Sequence, residues 1–247
     1  MMSRLRSGIR TAQGPLLTGG AIAIVVAANT LLAKRLAQMV GRVEERLGLT
    51  RNEMLFEMRY GTAGAGTSSE IPAAVILNDD KVRQARDNIK LNIGAGDKPM
   101  KGYLNVDRRE LPGIDITADV KALPFEKSEV AEIRAEHLLE HFPVEEVRRA
   151  VLPHWVSLLR DGGRLVVTVP DAEAMLDDYH AKTMSFEDLR QVTFGAQDYE
   201  GDFHYTMFSV DELSALLKEV GLSEVTVKAR AQKNGLCREM TVEGMRL

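Results

Sequence analysis

The stretch LNIGAGDKPMKGYLNVD, residues 91–107, decides how this chain is read. It begins as an apolar strand and runs into Gly94-Ala95-Gly96, where glycine lets the backbone pass close beneath a ligand because no Cβ obstructs it. It then departs from a dinucleotide loop, in which a third glycine opens a phosphate-binding helix and an acid follows roughly 20 residues on. Lys98 and Pro99 stand in place of the third glycine, and Asp107 arrives only thirteen residues after Gly94. No full helix fits between Gly96 and Tyr103, so a pyrophosphate cradle is disfavoured. A carboxylate ending the next strand can still accept hydrogen bonds from both hydroxyls of a ribose. The expected ligand is a nucleoside without phosphates. The connection is also short for a parallel crossover, which ordinarily takes a dozen residues or more.

Working outward, short apolar runs alternate with amphipathic stretches from residue 87 onward, the texture of a parallel sheet covered by helices. KLNIGAG, GYLNVD, SEVAEIRAE and GGRLVVTVP read as strands. Between the last two, Val147, Val151, Trp155 and Leu158 fall on one helical face, with Asp161-Gly162-Gly163 as the stop. SVDELSALLKEVGL has Ser209 as N-cap, Glu212 three residues on as a capping box, and Gly221 as the C-terminal stop. SEVTVKAR and REMTVEGMRL alternate as an antiparallel pair at the sheet edge.

Two further acids follow strand-like stretches. Asp119 is placed to accept from an adenine amine, with the Val120 backbone beside it, and Glu136 ends the next strand at the sheet's carboxyl edge. With these residues in view, the chain from about residue 87 to 247 resembles class I S-adenosylmethionine-dependent methyltransferases, in particular the type 11 group and bacterial relatives tied to glycan and surface-polysaccharide synthesis. The matching motifs are NIGAG, NVD, ADVKALPF, IRAEHLLEH and LRDGGRLVVTVPD, with FGAQDYEGDFHYTMFSVDELSALLKEVGL resembling the glycan-linked relatives.

The resemblance implies a Rossmann-like, mostly parallel α/β sheet of seven strands with an antiparallel terminal strand, preceded here by an N-terminal helical extension. It implies S-adenosylmethionine as cofactor, with Gly94, Ala95 and Gly96 around the methionine moiety, Asp107 on the ribose, Asp119 and Val120 at the adenine, and Glu136 lining the site. Asn92 stands where the family's first motif has an acid that meets the cofactor's amino group, and Lys98 where it has a third glycine.

Methyl transfer from a sulfonium asks the protein to orient the nucleophile and exclude water. A hydroxyl acceptor must also lose a proton, for which histidine suits neutral pH. His204, in YEGDFHYTMF before the last large helix, is the first choice of general base, with Asp202 to orient it and Tyr205 beside it for substrate; His141 is the second. The same loop reads equally as a lid in which His204 and Tyr205 only pack or bind substrate. His137 and His141, four apart at an expected helix start, lack a glutamate or cysteine at known ligand spacing. They are read as helix packing and substrate contact, with no metal.

Composition narrows the partners. A net charge of −4 disfavours a dedicated nucleic-acid binder, and one cysteine, Cys237, makes neither a disulfide framework nor a zinc cluster, so a reducing, cytoplasmic setting is expected. The expected activity is O-methylation of a sugar or lipid-linked glycan. A quinone, lipid or small metabolite is the nearest alternative acceptor, and a non-catalytic scaffold with the same fold is a further one.

The first 60 residues read as a helical extension, residues 61–86 as linker and lead-in around GTAGAGTSS, and residues 87–247 as the cofactor-binding domain. Residues 16–33 are apolar and flanked by basic residues. They suit either attachment to the inner face of the cytoplasmic membrane or an Ala-rich helix packed on the protein or a partner. Leu32, Leu36, Met39, Val43 and Leu47 extend a narrow helical seam, so residues 16–47 are the candidate membrane or partner-helix contact.

Overall fold

The computed structural model describes residues 72–198 and 201–247, with residues 30, 33–44, 46–47, 51 and 54 of the segment before them. The chain divides into two compact units, Met1–Thr67 and Ser68–Leu247. In the first, residues 33–44 are helical, and Leu36, Met39, Val43 and Leu47 are exposed. Apart from Thr30 and Ala33, the expectations for residues 16–33 lie outside the described residues, as does the linker reading of residues 61–69. Among the described residues no helix is long and apolar enough to cross a membrane.

The second unit is built on eight strands: β1 (Val75–Ile76), β2 (Ile89–Ile93), β3 (Leu104–Asp107), β4 (Ile116–Thr117), β5 (Val130–Glu136), β6 (Leu159–Pro170), β7 (Ser223–Asn234) and β8 (Cys237–Met245). Their order in the sheet is β1-β4-β3-β2-β5-β6-β8-β7. Strands β2 to β6 pair in parallel, β1 and β8 run antiparallel to their neighbours β4 and β6, and β7 closes the edge against β8. This is the mostly parallel, Rossmann-like sheet expected, with one strand more. The extra strand, β1, and the helix α1 (Asp79–Ala85) come from the stretch read as lead-in. A strand of two residues has no periodicity to announce it.

Helical residues 144–158 (α2) and Val210–Glu219 (α5) bury one face of the sheet. Val147, Val151, Trp155 and Leu158 of α2 are at most 2% exposed and share one core with Leu213, Leu216 and Leu217 of α5 and with Leu91, Ile133 and Leu165 of the sheet. Helix α2 ends at Leu158, three residues before the expected stop, because Leu159 already pairs with Val130 of β5. Helix α5 starts at the expected N-cap, with the Ser209 hydroxyl accepting from the Glu212 amide, but without the return bond from the Glu212 side chain that the expected capping box requires. It ends in a Schellman turn: the amides of Gly221 and Leu222 donate to the carbonyls of Lys218 and Leu217, and Gly221 sits at φ +93°.

The opposite face is charged. Lys90 (β2) faces Glu132 (β5), which also takes Arg164 (β6) at 2.8 Å, and Lys228 (β7) pairs with Glu243 (β8) at 3.2 Å. Tyr103 donates its hydroxyl to the same Glu132, and Arg134 pairs with it at 3.3 Å. On this face β2, β5, β6, β8 and β7 thus carry Lys90, Glu132, Arg164, Glu243 and Lys228, with Glu243 opposite Val166, two residues along β6 from Arg164.

Candidate active site

The ten-residue connection 94–103 holds no helix, as its length foretold, yet it joins two parallel strands. A buried polar network makes this work. The Asn92 side chain donates to the Lys98 carbonyl at 3.2 Å and to Asn105 Oδ1 at 2.9 Å, and Asn105 Oδ1 also accepts the Met100 amide. Asn105 leans on the buried Asp115 carboxylate, which Lys81 of α1 neutralises. Asn92 therefore fastens the loop instead of facing a ligand, which corrects its expected place beside the cofactor.

Above this loop lies a cleft of about 440 Å³ walled by Gly94, Asp107, Asp119, Val120, His137, Leu138, His141 and Tyr205, among others. It opens at the carboxyl ends of β2 to β5, where the chain steps outward through β3 and β4 and returns to the other side of β2. This reversal is where open α/β sheets bind ligands. Gly94 has φ +66°, a conformation that favours glycine, and a Cβ there would press on the Leu138 side chain at 2.8 Å.

Asp107, 6% exposed, ends β3 at the cleft wall. Its Oδ2 accepts the Gly96 amide at 2.9 Å, and its Oδ1 accepts the Arg109 amide and Nε. Gly96 thus contributes by fixing the carboxylate. Asp119 caps its own turn by accepting the Lys121 amide at 2.8 Å. Helix α2 clamps that turn from behind: Trp155 Nε1 donates to the Val120 carbonyl at 2.8 Å, and the Leu123 amide donates to His154 Nε2. Burial, opposed by Asp119, lowers the pKa of His154 and keeps it the acceptor that this bond requires.

Of the expected cofactor residues, Gly94, Asp107, Asp119 and Val120 meet in this wall; Asn92, Ala95, Gly96 and Glu136 do not. Glu136 is 43% exposed at its side chain and pairs with Arg134 on the charged face of the sheet. The wall also holds Arg108, Arg109 and Lys121, which were not anticipated. The signal was present for the two arginines, which directly follow the acid at the carboxyl end of a strand.

The histidines differ from expectation. His137 has φ +50° and lies between β5 and a short 3-10 turn, Leu139–His141, so it does not share a helix with His141. A left-handed residue cannot start the helix that would align the two rings. Its Nε2 lies 2.9 Å from Glu239 and its Nδ1 3.2 Å from Glu140; burial works against its charged form, but the two carboxylates outweigh that and raise its pKa to about 9. His137 is thus an imidazolium at neutral pH.

His141 and His204 meet edge to face, with ring centroids 4.8 Å apart. Each places Nδ1 at 3.1 Å from a backbone carbonyl, that of Phe203 for His141 and that of Val192 for His204. The Asp202 carboxylate instead accepts the Asp198 amide, so the expected orientation of His204 by Asp202 is replaced by the Val192 carbonyl. Burial, opposed by Glu140, lowers the pKa of His204 and favours the neutral ring. His141 and Tyr205 line the cleft, with His204 packed on His141.

The loop carrying His204 is docked by backbone bonds. The His204 amide donates to the Phe194 carbonyl, at the end of helix α4 (Phe186–Phe194), and the Tyr205 amide donates to the Glu140 carbonyl. At Gly195, φ +81°, a Cβ would fall 2.1 Å from the Asp202 carbonyl oxygen, so only glycine allows the loop to lie this close. Beneath the two rings is Glu140, 1% exposed, which the sequence reading passed over.

No protein-family model and no curated protein matches the chain. Solved structures similar to it include a S-adenosylmethionine-dependent methyltransferase of Thermotoga maritima (17% identity, 65% of this chain and 83% of that chain, TM-score 0.46). A second, from Methanosarcina mazei, is also described as a S-adenosylmethionine-dependent methyltransferase (18% identity, 68% of this chain and 97% of that chain, TM-score 0.46). A third is the Burkholderia thailandensis 1,6-didemethyltoxoflavin-N1-methyltransferase with bound 1,6-didemethyltoxoflavin and S-adenosylhomocysteine (15% identity, 97% and 98%, TM-score 0.47).

Proposed function

We propose that this chain is a S-adenosylmethionine-dependent methyltransferase acting on a hydroxyl of a sugar or lipid-linked glycan. The observation that carries the reading is the convergence of Gly94, Asp107, Asp119 and Val120 in one cleft at the point where the strand order reverses. The cleft fits an adenosyl group on three counts. Its volume of about 440 Å³ is in the range of small-molecule sites. The turn at Gly94 brings bare backbone to the cleft wall beside Leu138. The helix-free connection offers no helix N-terminus for phosphates, which suits a nucleoside without them.

Asp107 would hold the ribose through its carboxylate, already fixed by Gly96 and Arg109. Asp119 and the Val120 backbone, clamped by Trp155, would hold the base. When bound, the cofactor supplies an activated methyl group on a sulfonium. The protein's part is to orient the acceptor and exclude water. Tyr205 and Gly201 form the side of the cleft that the lid loop supplies, and a Cβ on Gly201 would lie 2.7 Å from Nη2 of Arg108, which follows β3. The charged side chains in the wall, Arg108, Arg109, Asp107 and Asp119, support a polar acceptor over a quinone or lipid tail. His141, with His204 packed on it, lines the same side of the cleft.

Calorimetry with S-adenosylmethionine tests this. Wild-type protein should bind one equivalent, and Asp107→Ala should weaken binding at least a hundredfold, about 3 kcal/mol for the lost charge-assisted bonds to two hydroxyls. Absence of binding, or binding of NADH in its place, overturns the reading. Transfer of labelled methyl from the cofactor to a cellular glycan and lipid extract then identifies the acceptor.

A further inference from the structure

We propose that Glu140, His141 and His204 form a binding site for a divalent cation of the zinc class beside the cleft. One ligand atom from each lies within 4.8 Å of the other two. Around a tetrahedral ion with bonds of 2.0–2.2 Å, ligand atoms sit roughly 3.4 Å apart. The widest separation must therefore close by about 1.4 Å, a modest turn of side chains, one of which is carried on the lid loop.

The chemistry of the donor set points to a cation more strongly than the distances do. Glu140 is 1% exposed, and neither of its carboxylate oxygens has a hydrogen-bond partner. His137 Nδ1 comes to 3.2 Å of Oε1 without the alignment of a hydrogen bond. In His141 and His204, Nδ1 faces a carbonyl oxygen, which can only accept, so Nδ1 carries the hydrogen. Nε2 of each ring is then the nitrogen left to face a ligand. One buried carboxylate, which His137 meets at 3.2 Å without a hydrogen bond, and one ring nitrogen from each of His141 and His204 thus converge in a donor set that a cation would complete.

The tethers are those of a metal centre. Histidine ligands ordinarily donate their other ring N–H to a carbonyl or carboxylate, which fixes the ring and its tautomer. Two imidazoles and one carboxylate suit zinc among redox-inert divalent ions, and three protein ligands leave a fourth position open. Glu140 and His141 are adjacent in the chain and His204 is on the lid loop, so the ion would also join that loop to the turn at Leu139–His141.

The catalytic use of the site rests on the methyltransferase reading; the site itself does not. An acceptor hydroxyl bound at the open position would break its O–H bond, release the proton to solvent and keep the electron pair on oxygen, made acidic by the ion. His141 and His204 are then ligands and not proton acceptors.

The test uses the full chain, stripped with chelator and dialysed, then titrated with Zn2+ by calorimetry and with Co2+ by visible absorption. One equivalent of each should bind, and Co2+ should show the intense bands of a four-coordinate site. Glu140→Gln, nearly isosteric, and His204→Ala, on the loop, should each weaken Zn2+ at least a hundredfold while circular dichroism shows both folded. His141→Gln serves as a third variant should either fail to fold. Absence of stoichiometric binding by the wild-type chain, or unchanged affinity in the folded variants, overturns the proposal; Glu140 would then be served by His137 alone. S-adenosylmethionine binding to the stripped protein separates the two proposals. Its failure with Zn2+ binding intact removes the methyltransferase reading and leaves the metal site standing.

Discussion

Gly195→Ala should release the lid loop while leaving the sheet intact. Two costs combine. An alanine at φ +81° and ψ 162° enters an extended positive-φ region that only glycine ordinarily occupies, at a cost of about 2 kcal/mol. Its Cβ would also sit 2.1 Å from the Asp202 carbonyl oxygen, and real Cβ contacts essentially never fall under 3.0 Å, so the two backbones must part by 0.9 Å or more. That movement strains both bonds that seat His204, from its amide to Phe194 and from its Nδ1 to Val192, each 3.1 Å and each contributing about 1 kcal/mol. The local penalty is then about 2–4 kcal/mol, which corresponds to roughly thirty- to nine-hundredfold faster exchange of the amides of residues 203–206. Native-state hydrogen exchange followed by mass spectrometry reads this directly. Gly221→Ala is the control: φ is +93° there, but nothing lies within 4 Å of the added Cβ, so only the conformational cost applies. Exchange in the lid within threefold of wild type, or equal effects of the two substitutions, would refute the steric argument.

Two further outcomes can be checked on the folded chain. Burial works to raise the pKa of Glu132, but the Tyr103 hydroxyl and the Arg164 and Arg134 guanidiniums outweigh it and hold the carboxyl below its ordinary value. Its stabilising contribution is therefore complete above the unfolded pKa and lost as pH falls through the lower folded one. Glu132→Gln should cost about 2 kcal/mol or more at pH 7 in urea melts, discounted for cations that are half exposed, and should flatten the acid side of the profile below about pH 4. An unchanged acid limb would show that the pairings around Glu132 carry no linkage. Burial first, then Glu140, Glu239 and Asp171, push the Cys237 thiol up to about 12. Iodoacetamide at pH 8 should modify it about a thousandfold more slowly in the native chain than in urea, since reaction follows the thiolate fraction; similar rates in the two states would contradict this.

What could be read from the sequence depended on whether a residue's neighbours in space were also its neighbours in the chain. The face of Val147, Val151, Trp155 and Leu158 and the ends of α5 at Ser209 and Gly221 are set by local spacing, and they stand where spacing placed them. Asp107 and Asp119 were legible because each directly follows or ends a strand. Asn92 was misplaced by trusting the motif over the alternation of the strand: it shares a face with Lys90, away from Leu91 and Ile93. The His137–His141 pair failed because one left-handed residue breaks the helix assumed to join them. Glu140 and His204 are 64 residues apart, and only the docking of the lid brings them together.

The row of charges from Lys90 to Lys228 bears on how the strands find their alignment. Sliding a strand by one residue turns its apolar side chains to water and is rejected at once, but sliding by two keeps every side chain on its proper face. Hydrophobicity alone is blind to that error. The charges are not: a two-residue slip of β5 toward one end would set Arg134, in place of Glu132, against Lys90 and Arg164. Repulsion thus marks as wrong an arrangement that the core would accept. The charges shared by β2, β5 and β6 thereby fix the height at which Gly94 and His137, which follow β2 and β5, reach the cleft.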